Sequence, residues 1–165
     1  MAQPRTILAG PAWRPSPKAK LLWTLQTAGG WASLLVAVAV WAVLDTGNRG
    51  WQLLAAVTAL VAGAVAVAVV PRWRYAVHRW EITPEAVYTR VGWLSQESRV
   101  APISRVQTVD IERGPLDRLL GLATVTVTTA SSAGAVTITA LDLPVAEKTV
   151  ADLTEIAARH RGDAT

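Results

Sequence analysis

The sequence predicts a membrane protein in two parts, a hairpin of two transmembrane helices followed by a small antiparallel β barrel with a C-terminal helix. Three observations lead there. Residues 21–44 and 51–70 are apolar runs of 24 and 20 residues without one charged side chain. From about residue 75 the pattern changes to short segments in which β-branched and aromatic residues alternate with polar ones. The last stretch, 144–159, returns to a helical period with an apolar stripe of Val150, Leu153, Ile156 and Ala157.

Residues 1–20 hold Pro4, Pro11, Pro15 and Pro17, too many fixed φ angles and missing donors for a regular helix, and read as an irregular basic tail. As a helix rising about 1.5 Å per residue, either apolar run spans a hydrocarbon core of roughly 30 Å. Their few polar residues (Thr24, Gln26, Thr27, Ser33, Gln52, Thr58) can bond to backbone or interfacial groups. Only the six polar, breaker-rich residues 45–50 separate the runs, so the two helices are antiparallel neighbours. The competing reading is a cleaved signal peptide, but its apolar region runs to about 15 residues and a second span would still follow. Arg5, Arg14, Lys18 and Lys20 precede the first run, and Arg72, Arg74 and Arg79 follow the second, whereas the turn holds one Arg and one Asp. The positive-inside bias therefore expects both termini in the cytoplasm and the turn outside, in a multi-pass protein of the cell's inner membrane. Trp23, Trp31, Trp51 and Trp73 include candidate interfacial anchors. Ala55, Ala59 and Gly63 recur every four residues, a stripe that lets two helix backbones approach closely. Its expected partner is the first helix, through Ala28 and Ala32; a second copy or another membrane protein is the alternative.

Six strands are predicted next, over 75–82, 87–91, 95–100, 106–113, 124–130 and 136–141, the last two forming a hairpin about residues 131–134. Spacing this close suggests a small barrel or sandwich. Residues 114–121 begin Gly-Pro, carry three leucines and end in Gly, which predicts a capped helical turn plugging the barrel.

Three stretches resemble a known family: residues 75–83 (YAVHRWEIT), 87–94 (VYTRVGWL) and 102–125 (PISRVQTVDIERGPLDRLLGLATV), of which 107–121 is the most specific. Over roughly residues 15–160 the chain resembles the YdbS-like bacterial membrane proteins, which place two transmembrane helices ahead of one bacterial PH-like domain. The resemblance implies a PH-like split barrel with a C-terminal α-helix. The chain then divides into a tail (1–20), the hairpin (21–70), a PH-like domain (71–160) and a disordered tail (161–165). It implies little chemistry, since the family has no agreed catalytic motif. Its members often accompany a larger membrane protein with several such domains, which implies a membrane complex.

A net charge of +4 and a pI near 10.1 first point to nucleic acid, but the placement of the charge excludes it. Residues 71–165 carry eleven Lys/Arg and eleven Asp/Glu, while the four basic residues of the tail supply the whole excess. There is no Cys, and His78 and His160 lack the spacing of a zinc site. No glycine loop suited to phosphate is present. Asp110 and Glu112 alternate on a strand near Arg105, Arg113 and Arg118, which reads as a solvated ion-pair surface. Neither catalysis nor a cofactor or metal is expected. Two classes remain. In the first, the domain is an interaction module that scaffolds or regulates a membrane complex, in envelope homeostasis by the resemblance. Gly92, Trp93 and Leu94 at a hairpin tip are then a candidate contact for a partner or the membrane, unless the tip folds back over the core. In the second, the barrel reads anionic lipid headgroups through Arg72, Arg74, Arg79, Arg90 and Arg99, with Arg90 and Arg99 converging across their hairpin. Glu81, Glu85 and Glu97 lie among these arginines, which favours ordinary solvated pairing. The expected partners are the bilayer, another membrane protein such as a larger multi-domain relative, and a second copy of this chain.

Overall fold

An apolar run offers its own backbone no side-chain partners, so both runs satisfy their N–H and C=O groups internally, as helices. The computed structural model describes residues 11–92, 96–130 and 134–162, with side chains through Arg159. Helix α1 is Ala19–Leu44 and α2 is Arg49–Val77. The second helix therefore continues past residue 70, through Pro71, and takes up Tyr75, Ala76 and Val77, which the alternation had assigned to a strand. Pro71 costs one hydrogen bond, whereas every further helical residue adds one, and an alternation this short does not distinguish the two periods.

The chain divides into two compact units, residues 20–73 and residues 11–19 with 74–162. In the first, α2 side chains satisfy the carbonyls left open at the end of α1. Arg49 donates to the carbonyl of Ala42 at 2.8 Å, and the Gln52 amide, 3% exposed, donates to the carbonyl of Asp45. The Asp45 carboxylate accepts from the Asn48 amide at 2.7 Å, the Gly47 N–H at 2.8 Å and the Trp41 indole at 3.3 Å. These bonds, Asn48's first, hold its carboxyl below the usual value of 3.8. Elsewhere the large side chains of both helices, among them Leu34, Val36, Val40, Leu53, Val57, Leu60, Val61 and Val65, stand exposed.

The second unit holds two antiparallel sheets of three strands. One contains β1 (Arg79–Ile82), β2 (Ala86–Gly92) and β3 (Gln96–Pro102); the other contains β4 (Val106–Glu112), β5 (Leu122–Thr129) and β6 (Val136–Asp142). Between β4 and β5 comes α3 (Pro115–Leu120), and α4 (Leu143–Gly162) closes the chain. Alternation delivers Val125, Val127, Val136 and Ile138 inward from one sheet and Val87 and Ala101 from the other. They meet Ile103, Leu141 and the α4 residues Ala146, Leu153 and Ala157 in one core. Two apolar N-terminal helices, two small sheets and a C-terminal helix fit a PH-like fold.

Two expectations are corrected here. The helical turn is not a plug: α3 buries none of its residues, and Leu119 is 82% exposed. Leu116, Leu119 and Leu120 have the i, i+3, i+4 spacing of one helix face, but Leu116 and Leu120 are only half-buried and Leu119 is exposed, so that face lies on the surface and does not enter the core. Its ends are nonetheless fixed, with Pro115 in the first turn, Asp117 accepting the Gly114 N–H at 2.9 Å, and Gly121 left-handed at φ 68°. The prolines do keep residues 11–18 irregular, but this stretch is bound rather than loose. Trp13 and Trp80 exchange backbone hydrogen bonds at 2.9 Å each way, and the Ser16 N–H donates to the carbonyl of Ala140 at 2.9 Å. Ala140 sits at φ 56° in a bulge of β6, where two residues, Thr139 and Ala140, oppose Thr124 alone.

Leu153 is fully buried and Leu119 is not, so truncating each separates packing from exposure. Leu153→Ala should destabilise the sheet unit by about 2–5 kcal/mol, and Leu119→Ala should change stability by less than about 0.5 kcal/mol, both read from denaturant unfolding of the full chain.

Candidate functional site

Sheet register decides which arginines meet. Arg79 on β1 lies directly opposite Arg90 on β2, with Glu81 opposite Tyr88 one step along the same face. Directly paired residues share a face, so Arg79, Glu81, Tyr88 and Arg90 form one mixed surface. Arg99 is paired with Thr89, not with Arg90, and so stands on the other face. There it donates to Glu97 at 2.7 Å and to the carbonyl of Ala135 at 3.0 Å. The register thus separates Arg90 from Arg99 and brings Arg79 and Arg90 together. Arg72 and Arg74 are both carried by α2. Gly92 ends β2 with φ 132°, opposite Gln96, and is half-buried. Trp93 and Leu94 lie outside the described residues.

At the end of α2 the Arg74 carbonyl accepts both the His78 N–H at 2.9 Å and the ring Nδ1–H at 2.8 Å. The imidazole is buried beside Arg79, Trp80, Thr89 and Arg90, at a pocket of about 10 Å³ that takes nothing larger than a water. Loss of solvation is the main force pushing its pKa below the usual 6.5; the Arg74 charge acts in the same direction, and the bond to the Arg74 carbonyl opposes both.

The small-residue stripe faces α1. Ala59 and Gly63 are buried and Ala55 is half-buried. The Trp31 ring rests on Gly63, where a Cβ would stand 3.1 Å from Trp31 Cγ. Ala55 and Ala59 line a groove of about 700 Å³ with Trp31, Val38, Trp41 and Trp51. Three residues take parts that the sequence does not assign them: Trp31 reads there as a candidate interfacial anchor, Leu119 as part of a plug, and Lys18 as one of the basic residues before the first run. Lys18 Nζ instead donates to the carbonyl of Leu120 at 3.1 Å and lies 3.8 Å from Asp142. Only the surplus of leucines in residues 114–121 signalled any of this.

Residues 21–157 match the family model described as a bacterial PH domain. The chain belongs to the bacterial PH domain family. No curated protein and no solved structure matches it. The match takes in both apolar helices as well as the sheets and most of α4, so in this bacterial PH domain protein the helices are part of the family pattern. PH domains are generally non-catalytic interaction modules. Among the described residues, no three of His, Asp and Glu are gathered as a metal site.

Two predictions come from this geometry. Because folded His78 resists protonation, acidification through the ordinary imidazole range protonates the unfolded chain first. Stability should be complete above about pH 6.5 and be lost as the pH falls toward the folded pKa; His78→Gln should flatten this part of a melting-temperature profile. Gly63→Leu should cost about 1–3 kcal/mol through overpacking on Trp31, measured by thermal unfolding of the detergent-solubilised chain. Trp31→Ala should recover most of that loss in a double-mutant cycle.

Proposed function

We propose that this bacterial PH domain protein is a membrane-anchored, non-enzymatic interaction module that scaffolds or regulates a membrane protein complex. The observation that carries the anchoring is the exposure of α1 and α2. Both are long and apolar enough to cross a membrane, yet their most apolar windows are 0% and 11% buried within the protein. A helix apolar all round is covered by protein or by lipid, and here protein covers almost none of it. The basic flanks support a topology with both termini and the PH domain in the cytoplasm, in an inner-membrane protein of the YdbS-like kind. Its partner on this reading is a larger multi-domain relative, with envelope homeostasis as the setting.

Leu119 supports the interaction role. A helix turn fixed at both ends holds an exposed leucine, so docking it into an apolar pocket costs little ordering of the backbone. The second reading, anionic headgroup recognition by the PH domain, is favoured by the Arg79–Arg90 pair. Glu81 on the same face and the bonding of Arg99 to Glu97 weaken it.

Photocrosslinking in cells tests the choice, with the crosslinker at position 119 and, separately, at 93. We expect adducts from position 119 to one integral membrane protein, identified by mass spectrometry. Adducts to lipid alone, abolished by Arg79→Gln with Arg90→Gln, would establish headgroup recognition and overturn the scaffold.

A further inference from the structure

The end of the helical hairpin away from the 45–48 turn carries a pocket of about 420 Å³ between α1 and α2. It is lined by one basic residue from each helix, Lys20 and Arg72, and by Leu21, Ala64, Val67 and Ala68. We propose that this pocket binds one anionic phospholipid, its phosphate between Lys20 and Arg72 and the upper part of an acyl chain against the apolar wall. The inference rests on the membrane-anchored reading of the hairpin. It concerns the helices, not the PH domain.

Charge and shape together select the ligand class. Apart from Asp45, in the turn at the opposite end, no acidic residue occurs before Glu81, so this end of the hairpin carries only positive side-chain charge of its own. The first turn of α1 begins at Ala19, which adds the positive end of its dipole beside Lys20. Arg72 donates from one Nη to the carbonyl of Ala68 in the preceding turn, which steadies the guanidinium over the pocket. A guanidinium has five donors in a planar fork, and one bond to a carbonyl leaves most of the fork for a phosphate. A small soluble anion would satisfy the two cations but leave the apolar wall uncovered. A neutral zwitterionic lipid would cover the wall but bring its own cation against two others. An anionic phospholipid does both, and the volume falls within the roughly 300–1,000 Å³ of ordinary ligand sites. With both termini cytoplasmic, the pocket lies at the leaflet whose surface is anionic.

The test uses the full chain in nanodiscs of mixed phosphatidylglycerol and phosphatidylcholine. After extraction into detergent, the retained lipid is quantified by mass spectrometry. Phosphatidylglycerol should be enriched over phosphatidylcholine, and Lys20→Gln with Arg72→Gln should reduce the enrichment about tenfold. Arg79→Gln with Arg90→Gln should leave it unchanged, and excess glycerol phosphate should not displace the lipid. The charge-conserving pair Lys20→Arg with Arg72→Lys, checked for an unaltered melting temperature, should keep the enrichment. No enrichment in the parent chain, enrichment insensitive to the Gln pair, or displacement by glycerol phosphate would each overturn the proposal. Alkaline carbonate extraction separates the two levels of inference. Release of the chain from cell membranes would sink the anchored reading and the pocket with it, whereas retention without phosphatidylglycerol enrichment would sink the pocket alone.

Discussion

The hydrogen bond from the Ser16 N–H to the carbonyl of Ala140 holds the proline-rich segment before α1 on the sheet of β4, β5 and β6. Ala140 presents that carbonyl because its backbone is left-handed, a conformation that costs a non-glycine residue on the order of 1 kcal/mol. The bulge that creates it also resets the alternation of β6 by one residue, so that Leu141 faces inward together with Ile138. With the Trp13–Trp80 bridge, this bond ties residues 13–16 to the sheet unit immediately before α1 begins. Within the same unit, the two bonds of His78 to the Arg74 carbonyl close the last turn of α2.

Elements with a strong, long period were legible in the sequence. The two apolar runs gave helices whose centres match the expectation, β2 to β6 fall within two residues of it, and the α4 stripe buries Leu153 and Ala157 as read. What could not be read depended on partners distant in sequence. The chain around Tyr75 satisfies both a strand and a helix locally, and the outcome turned on whether α2 propagates through Pro71. The docking of residues 13–16 relies on a bulge more than a hundred residues later, and a β-bulge has no dependable signal when its left-handed residue is alanine.

The candidate arginines show the same limit more sharply. Strands that pair as a hairpin were identified, but convergence of two side chains depends on register to within one residue. Arg90 opposite Ser98 rather than Arg99 places the two guanidiniums on opposite faces, and Arg79, contributed by the short edge strand β1, takes the place beside Arg90. Arg90 and Arg99 are nine positions apart, so a hairpin connection of even length would have paired them directly; the observed pairing of Gly92 with Gln96 leaves an odd number of residues between and divides them.

The distribution of charge differs between the two parts of the chain. The sheet unit beyond residue 70 is formally neutral, with acids interleaved among its bases, and such a surface offers no long-range attraction to an anionic membrane. The basic excess lies in residues 1–20, up to the first turn of α1, and on the proposed membrane-anchored reading it favours an anionic leaflet. On the proposed membrane-anchored reading, a domain held at a surface by two helices gains little from one further weak headgroup contact, whereas its local concentration near other membrane proteins is greatly raised. Under that condition even a modest apolar contact suffices for association. A single exposed leucine on a rigid, capped turn is too small to recruit a partner from solution; confined to the membrane surface with that partner, it can specify how the two dock.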